Sequence, residues 1–159
     1  MGIFGFRKKK KEPSIVSLPV KGKIIALSEV SDPAFAQGMM GPGFAVIPKE
    51  GVVVAPLKGT VTFIAPTGHA IGITSEDGAD LLIHIGIDTV KFEGEGFIQL
   101  VQESDHVDSG QPIIKFDRDL FVSQGTDTSV MLVITNAADF SEISVELDDP
   151  QGHCLKYKK

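Results

Sequence analysis

Short apolar runs alternate with Gly, Pro and Asp along most of the chain, beginning at Ser14. Runs of about four to eight β-branched and apolar residues with such boundaries are typical of β-strands. Many short strands of this kind predict an all-β sandwich or a barrel-like fold. The predicted strands cover residues 14–20, 22–28, 43–48, 51–56, 59–65, 69–75, 80–86, 97–101, 112–116, 130–135, 140–146 and 152–157.

Two segments depart from the strand pattern and predict short helical turns. Asp32 precedes Pro33 and can cap a turn that ends near Ala36, because aspartate accepts hydrogen bonds from helix N-terminal amides and proline suits the first helical position. The second predicted turn covers residues 117–123. No linker divides the strands, so we expect one domain over residues 14–159 after a flexible tail over residues 1–13.

One phrase of the sequence occurs twice. Pro19-Val20-Lys21-Gly22-Lys23-Ile24 recurs 37 residues later as Pro56-Leu57-Lys58-Gly59-Thr60-Val61. The phrase predicts two related sheet corners packed about a pseudo-twofold axis. The alternative is two unrelated turns that use similar residues.

Two histidines lie on the arms of a predicted β-hairpin. The arms, residues 67–75 and 80–90, are joined by a turn that contains glycine, which favours a hairpin. If Glu76 and Asp77 are the central loop residues, His69 lies directly opposite His84, although a one-residue bulge would shift this pairing. Directly opposed residues have Cβ atoms about 4.5–5.5 Å apart, so the two rings are predicted to reach one group held between them.

Strand alternation places His84 outside the predicted core. The odd-numbered residues from 81 to 85 are apolar and share one face of the strand, which leaves Leu82, His84 and Gly86 on the other. We expect Gly86 to leave open space beside the ring and Leu82 to lie next to it. An apolar rim suited to protein docking is predicted to include Phe35, Met39 and Met40.

The composition is that of an ordinary globular domain. Of 159 residues, 42% are hydrophobic and 23% are charged. No apolar run approaches the roughly 20 residues of a membrane-spanning helix, and we recognise no signal peptide. Cys154 is the single cysteine, so no internal disulfide is expected, and a reducing cytoplasm fits best.

Charge is unevenly distributed along the chain. Arg7 and the lysines at positions 8–11 make the N-terminal end basic, while the net charge of the whole chain is −6. The acidic remainder makes nucleic acid an unexpected partner. Beside the basic cluster, Ile3, Phe4 and Phe6 are compatible with peripheral contact with an anionic membrane surface, although a solvated, disordered end is the favoured interpretation.

Several motifs together resemble the glucose-type IIA proteins of bacterial phosphoenolpyruvate-dependent sugar phosphotransferase systems. The resemblance runs from about Pro19 to Asn136 and departs from the family pattern at Ala65 and Gly68. The motifs are Gly59-Thr60-Val61, Thr67-Gly68-His69-Ala70, His84-Ile85-Gly86-Ile87-Asp88-Thr89-Val90 and Glu93-Gly94-Glu95-Gly96-Phe97.

The resemblance implies an antiparallel β-sandwich and a cytoplasmic phosphohistidine carrier that needs no cofactor. Such a carrier relays a phosphoryl group from the histidine-containing phosphocarrier protein to the IIB domain of a sugar permease, and it can have regulatory targets. We expect it to be a monomer. His84 matches the phosphorylated histidine, His69 the companion that stabilises the phosphoryl group, and Thr67 the residue that orients His69. The matching residues around the site are Asp32, Phe35, Met39, Met40, Leu82, Gly86, Asp88 and Val90.

A zinc site is a first alternative. His84 and Asp88 have the His-x₃-Asp spacing of half a zinc site in certain β-rich cell-wall peptidases, but the His-x-His half is missing. His69, His84 and Asp88 would supply the three protein ligands that catalytic zinc generally takes. Zinc binding at His69 and His84 therefore stays open, whereas His106 and His153 are expected to be incidental.

A biotin- or lipoyl-carrying module is a second alternative. Residues 55–61 and 107–112 resemble phrases from those small sandwiches. Such modules present a modified lysine in a tight hairpin, and neither Met-Lys-Met nor Asp-Lys-Ala occurs in this sequence. This class is therefore less favoured than the phosphohistidine carrier.

Overall fold

The computed structural model describes residues 12–159, and within them the chain forms thirteen strands and two short α-helices. The prediction of an all-β fold is confirmed, and the predicted strands are present: two have the predicted bounds, most others are shorter by one to a few residues, and the last ends one residue later than predicted. A two-residue strand, β9, was not predicted. The strands are β1 Ser14–Ser17, β2 Gly22–Ala26, β3 Gly43–Pro48, β4 Val52–Val54, β5 Gly59–Ile64, β6 Ala70–Ser75, β7 Asp80–Ile85, β8 Phe97–Gln99, β9 His106–Val107, β10 Pro112–Phe116, β11 Val130–Ile134, β12 Glu142–Val145 and β13 His153–Lys158.

Three antiparallel sheets make up a sandwich-like fold. The largest has seven strands in the order β2-β3-β11-β7-β6-β5-β9, and two three-stranded sheets have the orders β4-β10-β8 and β1-β13-β12. One aliphatic and aromatic core draws residues from all three sheets, including Val53, Ile83, Ile114 and Tyr157. Removal of these side chains from water is the main stabilising contribution to the fold.

The seven-stranded sheet buries apolar residues on both faces. Its inner face, with Leu81, Ile83 and Ile85 of β7, belongs to the main core. The outer face carries a second apolar cluster in which Phe35 and Met131 are buried and Leu82 is half-buried. The predicted alternation of β7 is therefore confirmed, and His84 lies on the outer face with Leu82 because side chains two residues apart share a face.

Both predicted helical turns are present and are capped by aspartate. Helix α1 is Pro33–Ala36, and the Asp32 carboxylate accepts a hydrogen bond from the Ala34 amide at 2.9 Å. Helix α2 is Arg118–Ser123, and the Asp117 carboxylate accepts one from the Leu120 amide at 3.0 Å. The caps satisfy amides that have no partner inside a helix, which is why each turn begins at these residues.

Reciprocal hydrogen bonds join each copy of the repeated phrase to the segment just before the other copy. The Ser17 amide donates to the Pro56 carbonyl at 2.8 Å, and the Val54 amide donates to the Pro19 carbonyl at 2.7 Å. Both donors lie two residues before a copy of the phrase, so the two bonds have equivalent positions in the sequence. The pseudo-twofold axis remains a prediction.

The predicted basic tail lies almost entirely outside the described residues, which begin at Glu12. Its predicted flexibility and its predicted membrane contact therefore stay predictions. Among residues 12–159, no helix is long and apolar enough to cross a membrane.

Candidate functional site

The predicted direct pairing of His69 with His84 is wrong by one residue. Strands β6 and β7 pair Ala70 with His84, and His69 precedes the first residue of β6. The Ser75 amide donates to the Ala79 carbonyl at 2.9 Å, so the pairing extends to these residues and the loop that they close has three residues, 76–78, where two were predicted. The third loop residue, Gly78, has a φ of 91°. A three-residue loop with glycine in the left-handed region is a common hairpin connection, and it shifts the register by one.

The two imidazole rings are nevertheless in contact. The ring centroids of His69 and His84 are 5.1 Å apart and the ring planes meet at 75°. Gly68 has a φ of 78°, so the chain turns just before His69 and strand alternation does not fix the direction of that side chain. The Ile85 amide also donates to the His69 carbonyl at 2.7 Å, which joins the two histidine segments through the backbone.

A backbone carbonyl fixes the protonation pattern of His84. Nδ1 of His84 lies 2.9 Å from the Gly86 carbonyl oxygen. A carbonyl oxygen only accepts hydrogen bonds, so Nδ1 carries the ring proton. In the neutral ring, Nε2 then keeps its lone pair and is free to act as a nucleophile.

The hydroxyl of Thr67 contacts Nδ1 of His69. When the hydroxyl donates to Nδ1, the proton of the neutral His69 ring lies on Nε2. In that arrangement His69 presents a donor, while His84 presents an acceptor, and the two contacting histidines have opposite hydrogen-bonding roles.

The space beside Gly86 is filled, which corrects the expectation of open space there. A Cβ atom on Gly86 would lie 2.4 Å from Cγ2 of Thr89 and 3.1 Å from the Asp127 carbonyl oxygen. Gly86 also has a φ of 72°, a conformation that residues with a Cβ adopt at a cost. Glycine is therefore required by the tight turn after β7, and the absence of a side chain at Gly86 does not create an open space beside it.

Both histidines have a lowered pKa. Burial lowers the pKa of His69. Burial and the neighbouring His69 lower the pKa of His84, while the Gly86 carbonyl and the charges of Asp32 and Asp88 oppose this shift. Desolvation disfavours the charged imidazolium, so the neutral, nucleophilic ring is favoured near neutral pH.

The predicted rim residues differ in exposure and include buried, half-buried and exposed side chains. Phe35 is only 4% exposed, and its ring centroid lies 5.3 Å from that of His84, so it forms a wall of the site instead of an exposed rim. Met39 and Val90 are 74% and 53% exposed. The half-buried members are Asp32, Met40 and Leu82, while Gly86 is buried and Asp88 is exposed.

Phe63 is an apolar residue near the site that the sequence did not single out. It is 46% exposed, and β5 and β6 pair it with Gly72. A Cβ on Gly72 would lie 3.3 Å from Cβ of Phe63, so the aromatic side chain lies over that glycine. Gly72 in turn pairs with Leu82, which places Phe63 on the outer face of the histidine strands.

The other histidines and the metal alternatives can be placed as well. His106 is the exposed residue of β9, and its Nδ1 is 3.1 Å from Oγ1 of Thr60. His153 begins β13, in the sheet formed with β1 and β12. Within residues 12–159, no group of three or more His, Cys, Asp and Glu side chains is arranged to hold a metal ion.

The fold and the contacting rings define a small all-β protein with a two-histidine site. A family model described as phosphoenolpyruvate-dependent sugar phosphotransferase system, EIIA 1, matches residues 14–140. The chain therefore belongs to this family, and the resemblance to glucose-type IIA proteins is confirmed. It is a component of a phosphotransferase system, a membership that the peptidase and lysine-carrier alternatives do not explain.

Relatives and a solved structure agree with this assignment. A glucose-specific EIIA component of Halalkalibacterium halodurans is 41% identical over 140 residues, with 84% of this chain and 81% of that protein covered. A beta-glucoside-specific EIIBCA component of Bacillus subtilis is 48% identical over 127 residues, which are 80% of this chain but only 21% of that protein. The glucose permease IIA from Mycoplasma capricolum superposes with a TM-score of 0.77 at 29% identity, covering 92% of this chain and 96% of that chain.

Proposed function

We propose that Nε2 of His84 accepts a phosphoryl group and that the chain relays it between two protein partners during sugar uptake. The observation that carries the proposal is the 2.9 Å hydrogen bond from Nδ1 of His84 to the Gly86 carbonyl. It leaves the lone pair on Nε2, and the lowered pKa of His84 keeps the ring neutral. A neutral imidazole with a defined tautomer is a suitable nucleophile for a phosphoryl donor.

The transfer exchanges one N–P bond for another, and no other bond forms or breaks. The Nε2 lone pair of His84 attacks the phosphorus in line, a new N–P bond forms, and the N–P bond to the donor histidine breaks. The donor imidazole leaves with that electron pair. In the onward step, a nucleophile of the acceptor attacks the same phosphorus and His84 becomes the leaving group.

His69 is proposed to stabilise the transferring group. Negative charge lies on the equatorial phosphoryl oxygens in such a transfer, and positioned donors lower the barrier. Thr67 is proposed to set the donor state of His69: if its hydroxyl donates to Nδ1, the proton of the neutral ring lies on Nε2. The 5.1 Å separation of the rings supports a phosphoryl group that contacts both.

The residues around the histidine pair are proposed to receive the partners. Met39 and Val90 are exposed apolar residues that a partner protein would cover, and Phe35, Met40 and Leu82 belong to the apolar cluster on the outer face. Asp32 and Asp88 put negative charge near the phosphoryl group. We infer that this charge disfavours partners without compensating positive charge.

The donor is proposed to be the histidine-containing phosphocarrier protein and the acceptor the IIB domain of a sugar permease. Names of the longer relatives combine an A component with B and C components, which supports a IIB acceptor. The chain covers only about a fifth of those proteins' length, so the transported sugar is not inferred. Regulatory targets of the same surface are also part of the proposal.

The setting of the carrier is proposed to be the cytoplasm, with residues 14–159 acting as one monomeric domain. The N-terminal tail is proposed to contact anionic membrane, and binding of anionic vesicles by the full chain, but not by residues 12–159, would test this. Zinc at His69 and His84 would need a further protein ligand, because the two histidines supply two ligands and catalytic zinc generally takes three from the protein. The proposed carrier chemistry uses no metal.

The proposal is tested by phosphorylating the full chain. Incubation with phosphoenolpyruvate, enzyme I and the histidine-containing phosphocarrier protein should put an acid-labile phosphoryl group on His84, as mapped by mass spectrometry. His84→Gln should remain unlabelled at any donor concentration because the attacking nitrogen is gone. His106→Gln, at an exposed histidine outside the site, is the matched control and should be labelled like the wild type. Labelling of His84→Gln, or no label on wild-type His84, would refute the proposed function.

A further inference from the structure

Thr89 is a polar residue that is completely buried next to the histidine site. It is 0% exposed and begins the 3-10 helix Thr89–Phe92. Its hydroxyl donates to the Ile85 carbonyl, and its methyl group occupies the space that a side chain on Gly86 would need. Both ends of this small side chain therefore contact the turn that follows β7.

The residue that Thr89 holds is connected to both histidines. The Ile85 amide donates to the His69 carbonyl at 2.7 Å, while the Ile85 carbonyl accepts from Thr89. The next residue, Gly86, provides the carbonyl that accepts the Nδ1 proton of His84. The Ile85–Gly86 peptide that Thr89 contacts therefore lies between the peptide that bonds to His69, through the Ile85 amide, and the peptide that bonds to His84, through the Gly86 carbonyl. A shift of this central peptide would disturb both of its neighbours.

The same turn is held from the opposite side by the backbone of the loop before β11. The Gly86 amide donates to the Ser129 carbonyl and the Ile87 amide to the Asp127 carbonyl, each at 2.9 Å. One peptide plane carries a carbonyl and the following amide, so Thr89 and Ser129 hold the plane of the Ile85 carbonyl and the Gly86 amide. The Gly86 carbonyl lies in the next plane with the Ile87 amide, so its direction follows from the Asp127 contact and from the preceding plane that Thr89 helps to hold.

We propose that Thr89 is a positioning residue of the phosphotransfer site, holding the Ile85–Gly86 turn so that the Gly86 carbonyl keeps the ring proton on Nδ1 of His84. This inference rests on the proposed function of His84 and extends it to a residue that does not touch the phosphoryl group. A merely structural role would stabilise the fold without changing which nitrogen of His84 carries the proton.

The test separates the hydroxyl from the methyl group of Thr89. ¹⁵N NMR of the imidazole nitrogens reports the tautomer of His84, and the rate of labelling by the phosphocarrier reports its reactivity. Thr89→Val keeps the shape but loses the donor, so we expect a smaller Nδ1–H fraction and labelling slower by on the order of tenfold, the effect of about one hydrogen bond. Thr89→Ser keeps the donor and should restore the wild-type tautomer.

Thr126→Val is the matched control. Thr126 is only 9% exposed, and its hydroxyl has no hydrogen-bond partner within residues 12–159, so the same substitution there should leave His84 unchanged. If Thr89→Val does not fold, Thr89→Ser and Thr89→Ala isolate the same hydroxyl, with Ser expected to keep the Nδ1–H tautomer and Ala to lose it. A wild-type tautomer in Thr89→Val, or in Thr89→Ala, would overturn the inference.

The NMR readout also separates this inference from the proposed function. If wild-type His84 accepts no phosphoryl group, the proposed function fails. The NMR measurement of the His84 tautomer in the Thr89 variants still shows whether Thr89 positions the ring proton. If wild-type His84 is labelled and the hydroxyl of Thr89 has no effect on its tautomer, only the role of Thr89 fails.

Discussion

His84 combines partial burial with one directed hydrogen bond, and both act on the state of a single nitrogen. Burial against Phe35 and His69 disfavours the charged ring, and the Gly86 carbonyl selects which nitrogen holds the proton of the neutral ring. The sequence predicted the two histidines and Thr67 through their flanking motifs. It did not predict the tautomer, because the direction of the Gly86 carbonyl depends on contacts of its turn with Asp127, Ser129 and Thr89 that strand periodicity does not indicate.

The lowered pKa of His84 predicts how phosphoryl acceptance depends on pH. Burial and the nearby His69 lower the pKa below 6.5, so we expect the labelling rate to stay constant from pH 8 to below 6.5 before it falls. His69→Gln should raise the pKa of His84, since it removes the repulsion between the His69 ring and a charged His84. Labelling rates and an NMR titration of His84 would measure both effects. An inflection above 6.5 in the wild type would contradict the expectation.

The same shift has a consequence for stability with a definite sign. Between the lowered pKa of folded His84 and the value of 6.5 for an unperturbed histidine, the unfolded chain binds more protons than the folded one. The free energy of unfolding should therefore rise with pH across this window and level off above about 6.5. His84→Gln should lose this part of the pH dependence in denaturant unfolding curves.

The two histidines should differ when each is replaced by glutamine. His69→Gln keeps the nucleophile and an amide donor, so the phosphocarrier should still label His84. Onward transfer to the IIB domain should suffer most, by up to about 10²- to 10³-fold, because a neutral amide cannot take positive charge as the lost imidazole can. Stopped-flow measurement of each half-reaction would show this. If His69→Gln abolishes labelling and His84→Gln does not, the two roles are reversed.

At the scale of elements, strand alternation was more predictable than strand register. The faces of β7 follow from a period of two that the sequence of residues 81–85 displays directly. The register depends on the hairpin loop, and Glu76, Asp77 and Gly78 are compatible with two-residue and three-residue connections. The predicted contact between the histidine rings is present although the predicted register is wrong by one residue, because Gly68 redirects the chain before β6.

A bulge in β5 explains why Phe63 was missed. Strict alternation would put Phe63 on the same face as Val61, which is buried in the core. The register shifts between these two residues, so Phe63 lies on the outer face while Ile64 returns to the core. A bulge adds one unpaired residue and reverses the faces, and a single sequence contains no periodic signal for its position.

Replacement of Gly86 tests the turn after β7 as an element. Gly86→Ala would place Cβ 2.4 Å from Cγ2 of Thr89, in addition to the cost of a left-handed conformation. We expect a loss of more than about 2 kcal/mol in the free energy of unfolding and slower labelling of His84. Gly125→Ala is the matched control, since Gly125 has a φ of 70° with no atom within 4 Å of its Cβ position, and it should cost only about 1–2 kcal/mol. Equal losses in the two variants would show that the contact with Thr89 is unimportant.

At the scale of the whole molecule, one carboxylate joins the first and last strands to the histidine hairpin. Asp77, in the loop between β6 and β7, accepts hydrogen bonds from Ser14 and Tyr157, each at 2.6 Å, and from Ser75. Although burial alone would raise the pKa of Asp77, these hydroxyls together lower it. The carboxylate thus ties β1 and β13 to the loop end of the hairpin, at the opposite end from the histidines.

Removal of the Tyr157 hydroxyl should weaken this junction without affecting the chemistry. Tyr157→Phe keeps the edge contact of its ring with Phe140 and should lower the free energy of unfolding by about 1–2 kcal/mol at neutral pH, the range for a hydrogen bond to a charged group. The difference from the wild type should shrink below pH 3.8, as Asp77 is protonated through its lowered pKa. Urea unfolding at several pH values measures this, and His84 labelling is the control. A strong loss of labelling in the folded variant would contradict a purely structural junction.

The pairing of β1 with β13 gives the domain an architecture suited to attachment. Ser14 lies opposite Tyr157, so the start of β1 and the end of β13 are side by side. Both lie near the loop of the histidine hairpin, about six or seven strand residues, or roughly 20 Å, from the histidine pair. A linker joined to either strand would leave the reactive end free to turn towards a tethered partner. Attachment of that kind raises the effective concentration of the partner to the millimolar range for a short flexible linker, without any new contact. An arrangement of this kind would let one sandwich serve equally well as a separate carrier or as a module within a longer polypeptide.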